Sequence, residues 1–550
     1  MIVLSCCALV NSVNAQPPHF QKSIGPASFS GSNDITYSML QTWDSGFIIC
    51  GSTQSYGAGS IDAYIAKYDS AGNQVWAKTY GTANWEATFK LIITADSGYL
   101  FAGGVIDSGQ TTKDVLLIKT DKDGGLQWSK KYGGGGEEMA STLEGIEQTS
   151  DLGYIITGTT NGYDSIPSDN IFLIKTDAVG DTLWTRIYSA PLFDQALAVH
   201  QTFDGGYILS GRTTSFGAGQ RDALLIKTDS AGMITWVNAY GGIEGEEGMS
   251  VKQTSDSGFI LTGSSYSFST TYPDIYTIKT DGNGTVQWSK IYDGGGVEAS
   301  YCIIETTDGG YALTGFTESF ISPDFTGPGN PLPQGGDSAN VILIKLDTTG
   351  AITWSKIYGG KLLDEAYSLS QATDGGYLMA AITSSFGSDS TDNGYIIYTD
   401  SIGAIDCFTD PVVMQTINAA TITTPGSYNI TWGFNYSTYN LSEALFVLQD
   451  TMPECPPVGL DDHLSASTSL SIYPNPSNFS CVVAAPGFVS ATLILYDLTG
   501  RVLQKHSFNE RANLYLKTLN PGVYIIEVKD NADLKNGGMG KSVKGKIVIN

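Results

Sequence analysis

A turn written D-[GSL]-G-[YF] recurs at Asp44, Asp96, Asp151, Asp204, Asp256, Asp308 and Asp374, and this repeat of about fifty residues limits the fold more than any other feature of the chain. Each copy leads into an apolar strand such as YIITG or FILTG, and then into a second strand that ends in a D-x-x-G turn, at Asp69, Asp121, Asp177, Asp229, Asp281, Asp347 and Asp400. Seven residues beyond the first six of those Asp residues stand Trp76, Trp128, Trp184, Trp236, Trp288 and Trp354, each followed four residues later by a Tyr; the seventh repeat has Cys407 in place of the Trp. A W-x-x-x-Y spacing puts both rings on one face of a period-2 strand. With the apolar run before each first turn, every repeat holds four strands, the content of a propeller blade. The expected fold is all-β: a seven-bladed β-propeller over residues 19–407.

Asp accepts hydrogen bonds from its own backbone two residues on, and Gly tolerates positive φ, so both turns read as hairpin chemistry. Asp121-Lys-Asp123-Gly124 and Asp281-Gly-Asn283-Gly284 resemble the start of a calcium loop. The other copies lack the second oxygen ligand and no bidentate Glu follows, so the turn reading is preferred and no metal or other cofactor is expected. A ring of blades exposes two edges unless its ends share a sheet. Phe20-Gln-Lys22-Ser-Ile24-Gly25 copies Trp288-Ser-Lys290-Ile-Tyr292, which predicts that the N-terminal strand supplies the fourth strand missing from blade seven.

Both hairpin types share one face of such a ring, which leaves the opposite face to carry variation and hence function. Two candidate ligand sites map there. One is a carboxylate ten residues before six of the turns, Asp34, Glu86, Asp194, Glu246, Glu298 and Asp364, with Glu137 and Glu138 in the third repeat set back by a few extra residues; these acids are able to ring one mouth of the channel or, as the repetition favours, to accept backbone N–H groups of Gly-rich loops. The other is the long stretch between Gly315 and Lys345, whose Phe316, Phe320 and Phe325 lie among Pro and Gly and suit a loop presenting rings to a sugar or peptide.

The formal net charge of -26 disfavours nucleic acid and anionic membrane as partners, and leaves cations, basic proteins and neutral glycans. No catalytic residues are expected. The four His residues have no triad or metal spacing, His200 reads as an ordinary strand residue, and acid pairs suited to glycoside hydrolysis are frequent by chance in so acidic a chain. Residues 1–15, apolar and ending Val13-Asn14-Ala15, read as a secretory signal peptide, and no later run is long enough for a membrane span. In an oxidising compartment Cys407 and Cys455 are the pair that could close a disulfide, while Cys50 and Cys302 read as packed thiols.

Past Cys407 the repeat stops. Residues 408–465, rich in Thr, Asn, Ser and Pro, read as a linker or small β appendage, and a separate domain of short strands begins at about residue 466 and runs to 550. Its motifs are Tyr473-Pro474-Asn475-Pro476, then Tyr496-Asp497-Leu-Thr-Gly500-Arg501, then Leu519-Asn-Pro-Gly522-Val-Tyr524, then the terminal KGKIVIN. Together these resemble the type A C-terminal sorting domain of the type IX secretion system of Bacteroidetes. The resemblance implies a small C-terminal β-sandwich read by the secretion machinery, with release or attachment to surface lipopolysaccharide. The repeats similarly resemble a class of secreted Bacteroidetes repeats, a resemblance that implies no activity. Two functions follow as expectations: a secreted or cell-surface, non-catalytic binding or adhesion scaffold for glycan or protein, and, as the alternative, an extracellular polysaccharide-active enzyme such as a glycoside hydrolase or lyase.

Overall fold

The computed structural model describes residues 19–25, 32–134, 136–162, 169–268, 271–320, 338–386, 392–405, 409–412, 414–427, 429–431, 435–438, 441–446 and 449–451 of a first compact unit, Met1–Pro456. In the second unit, Pro457–Asn550, it describes 471–473, 480–484, 491–496, 501–508, 511–515, 522–530 and 542–549. Every regular element among these residues is a β-strand. The signal-peptide region, the Cys407–Cys455 pair, Phe325 and the motif residues Pro474, Asn475, Pro476, Asp497 and Gly500 lie outside the described residues.

The repeats form four-stranded antiparallel sheets in simple succession. Sheet one runs Asp34–Gln41, Phe47–Thr53, Asp62–Tyr68, Gln74–Gly81, and sheets two to six follow the same order. Sheet seven has Asp364–Gln371, Tyr377–Thr383 and Asn393–Thr399, and its fourth strand is Phe20–Gly25, paired antiparallel from Phe20↔Tyr398 to Ile24↔Gly394. The strand predicted from the FQKSIG motif is therefore in place.

Neighbouring sheets are joined by contacts that repeat to the last junction. The amide of the repeated carboxylate residue at the start of each first strand donates to a carbonyl just before the third strand of the preceding sheet: Glu86 to Ile61, Glu138 to Lys113, Asp194 to Asp169, Glu246 to Arg221, Glu298 to Pro273, Asp364 to Ala339, and finally Asp34 to Asp392. On the hairpin face, a Gln or Glu side chain accepts the turn amide of the preceding sheet at six junctions, from Gln148 with Ala95 (2.8 Å) to Gln41 with Thr373 (2.8 Å). The junction of sheets one and two has Ile93 at that position, and Trp43 stacks on Tyr99 instead (6.2 Å, 16°).

Trp and Tyr of each fourth strand face the next sheet. Tyr80 Oη donates to the Gly124 carbonyl (2.6 Å), and the same bond recurs from Tyr132, Tyr188, Tyr240, Tyr292 and Tyr358. The receiving glycine of each D-x-x-G turn has positive φ (74° at Gly124), and a Cβ there would meet Trp76 at 2.9 Å, so no other residue suits the site. Phe20 takes the place of Trp against Gly72, and Lys22 Nζ takes the place of the Tyr hydroxyl on the Gly72 carbonyl.

The first turn shows a different use of glycine. Its positive φ falls on the middle residue, Ser45 (62°), Ser97 (66°), Leu152 (69°) or Ser257 (69°), whereas a Cβ on Gly46 would strike Lys67 Nζ and the Tyr68 carbonyl. The conserved spacing serves a clasp in which Lys67 Nζ binds Asp44 at 2.9 Å, repeated by Lys119, Lys175, Lys227, Lys279 and Lys345, with Tyr398 Oη bonding Asp374 (2.5 Å) in sheet seven. At Asp121 and Asp281 the carboxylate accepts backbone amides of its own turn at 2.7–2.9 Å, the geometry of an Asx turn.

The segment read as a linker or appendage is a belt. Its strands pair antiparallel with the outer strands of the sheets in the order six, five, four, three, two, one, seven: Thr409–Pro411 on Ile352–Tyr358, Gln415–Asn418 on Val286–Asp293, Ile422–Pro425 on Ile234–Gly241, Asn429–Thr431 on Thr182–Ser189, Asn435–Thr438 on Leu126–Gly133, Ser442–Phe446 on Gln74–Gly81, and Gln449–Thr451 on Phe20–Gly25. A new strand begins about every seven residues, too short a spacing for the repeat that dominates the rest of the chain. The fourth strand of each of the seven sheets thereby gains a partner on its outer edge.

The second unit has a three-stranded sheet, Ser471–Tyr473, Ser480–Ala484 and Arg511–Tyr515, and a four-stranded one ordered Val502–Phe508, Ala491–Tyr496, Gly522–Asp530, Ser542–Ile549. Leu493, Leu495 and Val528 are fully buried. Tyr473 lies in the first of these strands, and Gly522 and Tyr524 open the strand that pairs with the C-terminal KIVI.

Candidate functional site

The seven repeated carboxylates do not ring an open mouth. Asp34, Glu86, Glu138, Asp194, Glu246, Glu298 and Asp364 are all fully buried, and each is engaged by hydroxyl or amide donors of adjoining loops. Thr53 Oγ1 donates to Asp34 (2.5 Å), Ser265 Oγ to Glu246 (2.8 Å) and the Gly360 amide to Asp364 (2.8 Å). They tie the Gly-rich loop to the start of the second connection, the structural role favoured by their repetition.

A second position co-varies with them. Where the carboxylate is Glu (86, 138, 246, 298), the third strand of the preceding sheet opens on Asp62, Asp114, Asp222 or Asp274; where it is Asp (194, 364, 34), that strand opens on Asn170, Asn340 or Asn393. A longer acid meets an acid, and a shorter acid meets an amide. Burial raises the carboxyls of Asp62, Glu138, Asp194 and Asp222, and takes Asp364 to about 7 against its Ser385, Thr383 and backbone donors. A carboxyl whose folded pKa is raised stabilises the fold at low pH and loses that contribution as pH rises towards the folded value. Asp364→Asn should therefore flatten the fall in melting temperature between about pH 4 and pH 7; an unchanged profile would show that Asp364 does not titrate in that window. Asp274, Asp293 and Glu298 hold oxygens within 4.8 Å of one another, a hard-cation donor set, but Glu298 and Asp293 already accept Thr317 Oγ1 (2.7 Å) and the Gly295 amide (2.6 Å).

The first strands converge on a filled centre. All but that of sheet three carry a bulge, which skips Tyr37, Phe89, Leu197, Met249, Tyr301 and Tyr367 in turn. Four of these side chains meet ring to ring: Phe89 with Tyr37 (5.2 Å), Tyr37 with Tyr367 (5.6 Å), and Tyr367 stacked on Tyr301 (5.0 Å, 5°). Phe316 extends the arc against Tyr301 (5.8 Å), and Phe320, half-buried, packs against the core between sheets five and six.

In sheet three the first strand is split into Glu138–Ala140 and Ile146–Gln148, and the residues between bring Glu144 into the centre. Its amide donates to the Leu197 carbonyl, and its carboxylate meets Lys252 Nζ (2.6 Å), Ser250 Oγ (2.5 Å), His200 Nε2 (3.6 Å) and Lys90 Nζ (3.8 Å), on the first strands of sheets five, four and two. His200 Nδ1 also faces Glu147 (3.2 Å). Burial works against the Glu144 anion, yet Lys252, His200 and Lys90 hold its pKa well below the usual range; burial and Lys252 likewise oppose the His200 cation, and the two carboxylates prevail and raise it. The sign of this motif in the sequence is the longer spacing of the third repeat, and it makes His200 more than a plain strand residue.

The network fastens the first strands of sheets two, four and five to Glu144. The adjacent Cys302 is 1% exposed and its thiol is pushed up to about 11, far from a nucleophile at neutral pH. Glu144→Ala leaves two lysines and an imidazole facing an uncompensated centre, and is expected to cost about 3 kcal/mol in chemical denaturation; a cost near zero would show the network to be slack. Cys50 is likewise a buried free thiol. On the hairpin face the groove between sheets six and seven has a volume of about 530 Å3, lined by Trp354 and Tyr377 among hydroxyls and carboxylates.

Residues 471–538 match the family of the secretion system C-terminal sorting domain. The tail is a sorting domain. The protein is accordingly secreted or attached to the outer-membrane surface. The chain is 25% identical over 212 residues, 34% of its length, to the regulatory protein FlaEY of Caulobacter vibrioides, and spans 22% of that relative. Among solved structures it is similar to PorZ, a bacterial surface component of the type-IX secretion system of Porphyromonas gingivalis (9% identity, TM-score 0.28, 94% of this chain and 70% of that one). It is also similar to the extracellular domain of a putative one component system of B. thetaiotaomicron (12% identity, TM-score 0.23, 96% and 75%). At these scores neither likeness bears on fold or activity. No helix among the described residues is long and apolar enough to cross a membrane.

Proposed function

We propose that the seven sheets are the blades of a closed seven-bladed β-propeller, residues 19–407 with the belt around it, and that this body is a non-catalytic binding or adhesion scaffold for a glycan or protein. Export is by the type IX route, on a sorting domain spanning about residues 466–550, with release or attachment to surface lipopolysaccharide. The observation that carries the propeller is the junction hydrogen bond repeated seven times, with Asp34 N on Asp392 O as its last member. The scaffold reading is supported by what the interior holds: its repeated acids are buried and occupied by donors, and its centre is filled by rings and by Glu144.

Glycan-array binding without release of reducing sugar from the bound glycans is the expected result. Turnover of any of them would instead favour the polysaccharide-active enzyme. For export, a reporter fused to residues 466–550 should reach the medium or cell surface of a host with type IX secretion, and its retention in the periplasm would contradict the route.

A further inference from the structure

The groove between sheets six and seven arises from two small residues that coincide at no other junction. The residue before the fourth-strand Trp is Val75, Gln127, Leu183, Thr235, Gln287 or Thr353, and the middle of the following sheet's turn is Ser97, Leu152, Gly205, Ser257, Gly309 or Gly375. Only Thr353 with Gly375 pairs a short side chain with none at all. Where the residue is longer it occupies the space, as Gln287 does by accepting Lys279 Nζ (3.3 Å).

The opened groove of about 530 Å3 lies in the range of small-ligand sites. One wall is aromatic, with Trp354 and Tyr377 edge to face at 5.7 Å. The rim is rich in acceptors. Asp308 has a side chain 64% exposed with Lys345 already on it (3.0 Å), and Asp347 receives its own turn's Thr349 and Ala351 on Oδ1, leaving Oδ2 without a donor among the described residues. Ser401 adds a hydroxyl. Carboxylates that accept hydrogen bonds beside an aromatic face suit a ligand with many O–H donors and an apolar C–H face. Lys345 is spent on Asp308, and the chain's net charge of -26 repels anions, so an anionic ligand is disfavoured.

The geometry points to a binding site for a neutral saccharide unit in the groove between sheets six and seven, with Trp354 as its platform and Asp308 and Asp347 as its hydroxyl acceptors. This rests on the scaffold reading and places the site on the hairpin face rather than on the face the sequence singled out. An unbranched neutral oligosaccharide would lay one residue in it.

Sister junctions supply variants that leave the fold intact. Thr353→Leu installs the residue of Leu183, and Gly375→Ser installs that of Ser257, which already holds φ 69° in the equivalent turn; a Cβ on Gly375 meets only Ser401, at 3.5 Å. Calorimetry of the full chain with cellotetraose, laminaritetraose and maltotetraose should find one of them bound, and the double variant should weaken it by about tenfold or more, the loss of one stacking contact and one hydrogen bond, with an unchanged melting temperature. Conversely, Ser257→Gly beside Thr235 opens the junction of sheets four and five, and should raise the stoichiometry from one site towards two. Undiminished binding to the double variant overturns the groove while leaving the scaffold reading in place. Binding only of charged polymers or of peptides overturns the neutral-saccharide class, and turnover of the bound glycan overturns the scaffold reading itself.

Discussion

Removing residues 16–25 is expected to unfold the first unit or reduce it to an aggregating remnant. Phe20 and Ile24 are 5% and 0% exposed, packed with Phe47, Tyr398 and Ile396 in a core shared by sheets seven and one. Loss of the strand removes both side chains, at about 3 to 5 kcal/mol for the Phe and 2 to 5 for the Ile, out of a total stability on the order of 5 to 15 kcal/mol. It also bares the edge of Asn393–Thr399 and takes Phe20 and Lys22 off the Gly72 turn. Phe20→Ala is the milder form, expected to cost about 3 to 5 kcal/mol. Thermal and urea unfolding read both, and wild-type stability in the deletion would contradict the shared sheet.

Truncation after residue 408 should be nearly as damaging by a different route. Among the described residues of the belt Met414 is buried and Ile417 partly buried, and the contribution common to all seven of its strands is the backbone groups they satisfy. Without it the outer strands of seven sheets present unpaired N–H and C=O groups, each a template for another chain. The expected outcome is self-association in size-exclusion chromatography with light scattering, and a lowered melting temperature. Truncation after residue 456 removes the second unit but keeps the belt, and should give a stable monomer. Equal behaviour of the two truncations would show that the belt is dispensable.

The division between what the sequence discloses and what it hides follows the range of each interaction. Asp44, Gly46, Trp76 and Tyr80 act within a hairpin or against the adjoining sheet, so their constraints recur at a fixed spacing and are legible as a repeat. The Phe20–Gly25 strand was legible for the same reason, since it must meet Gly72 as each Trp strand meets its own glycine. The third-strand Lys recurs in six of the seven repeats, nearly as regularly as the turn Asp it clasps, yet the pairing is visible only once both strands are aligned.

The belt obeys a weaker rule. Its partners are backbone groups, which any residue supplies, so its Thr- and Asn-rich pieces carry almost no pattern. Glu144 is hidden because its partners, from Lys90 and Leu197 to Cys302, lie up to 158 residues away in strands of four other sheets, and only the extra length of the third repeat marks it. The ring of acids was visible as a pattern, but spacing alone does not distinguish a carboxylate facing solvent from one engaged by Thr53 or Ser265.

The central claim is that the chain closes on itself, with Phe20–Gly25 and Asn393–Thr399 in one sheet and Asp34 bonded to Asp392. Hydrogen exchange read by mass spectrometry at neutral pH tests it most directly. Closure predicts that amides of 20–25 and 393–399 exchange as slowly as those of an interior strand such as Asp62–Tyr68, and only through global unfolding. Rapid, independent exchange of the two segments would contradict it.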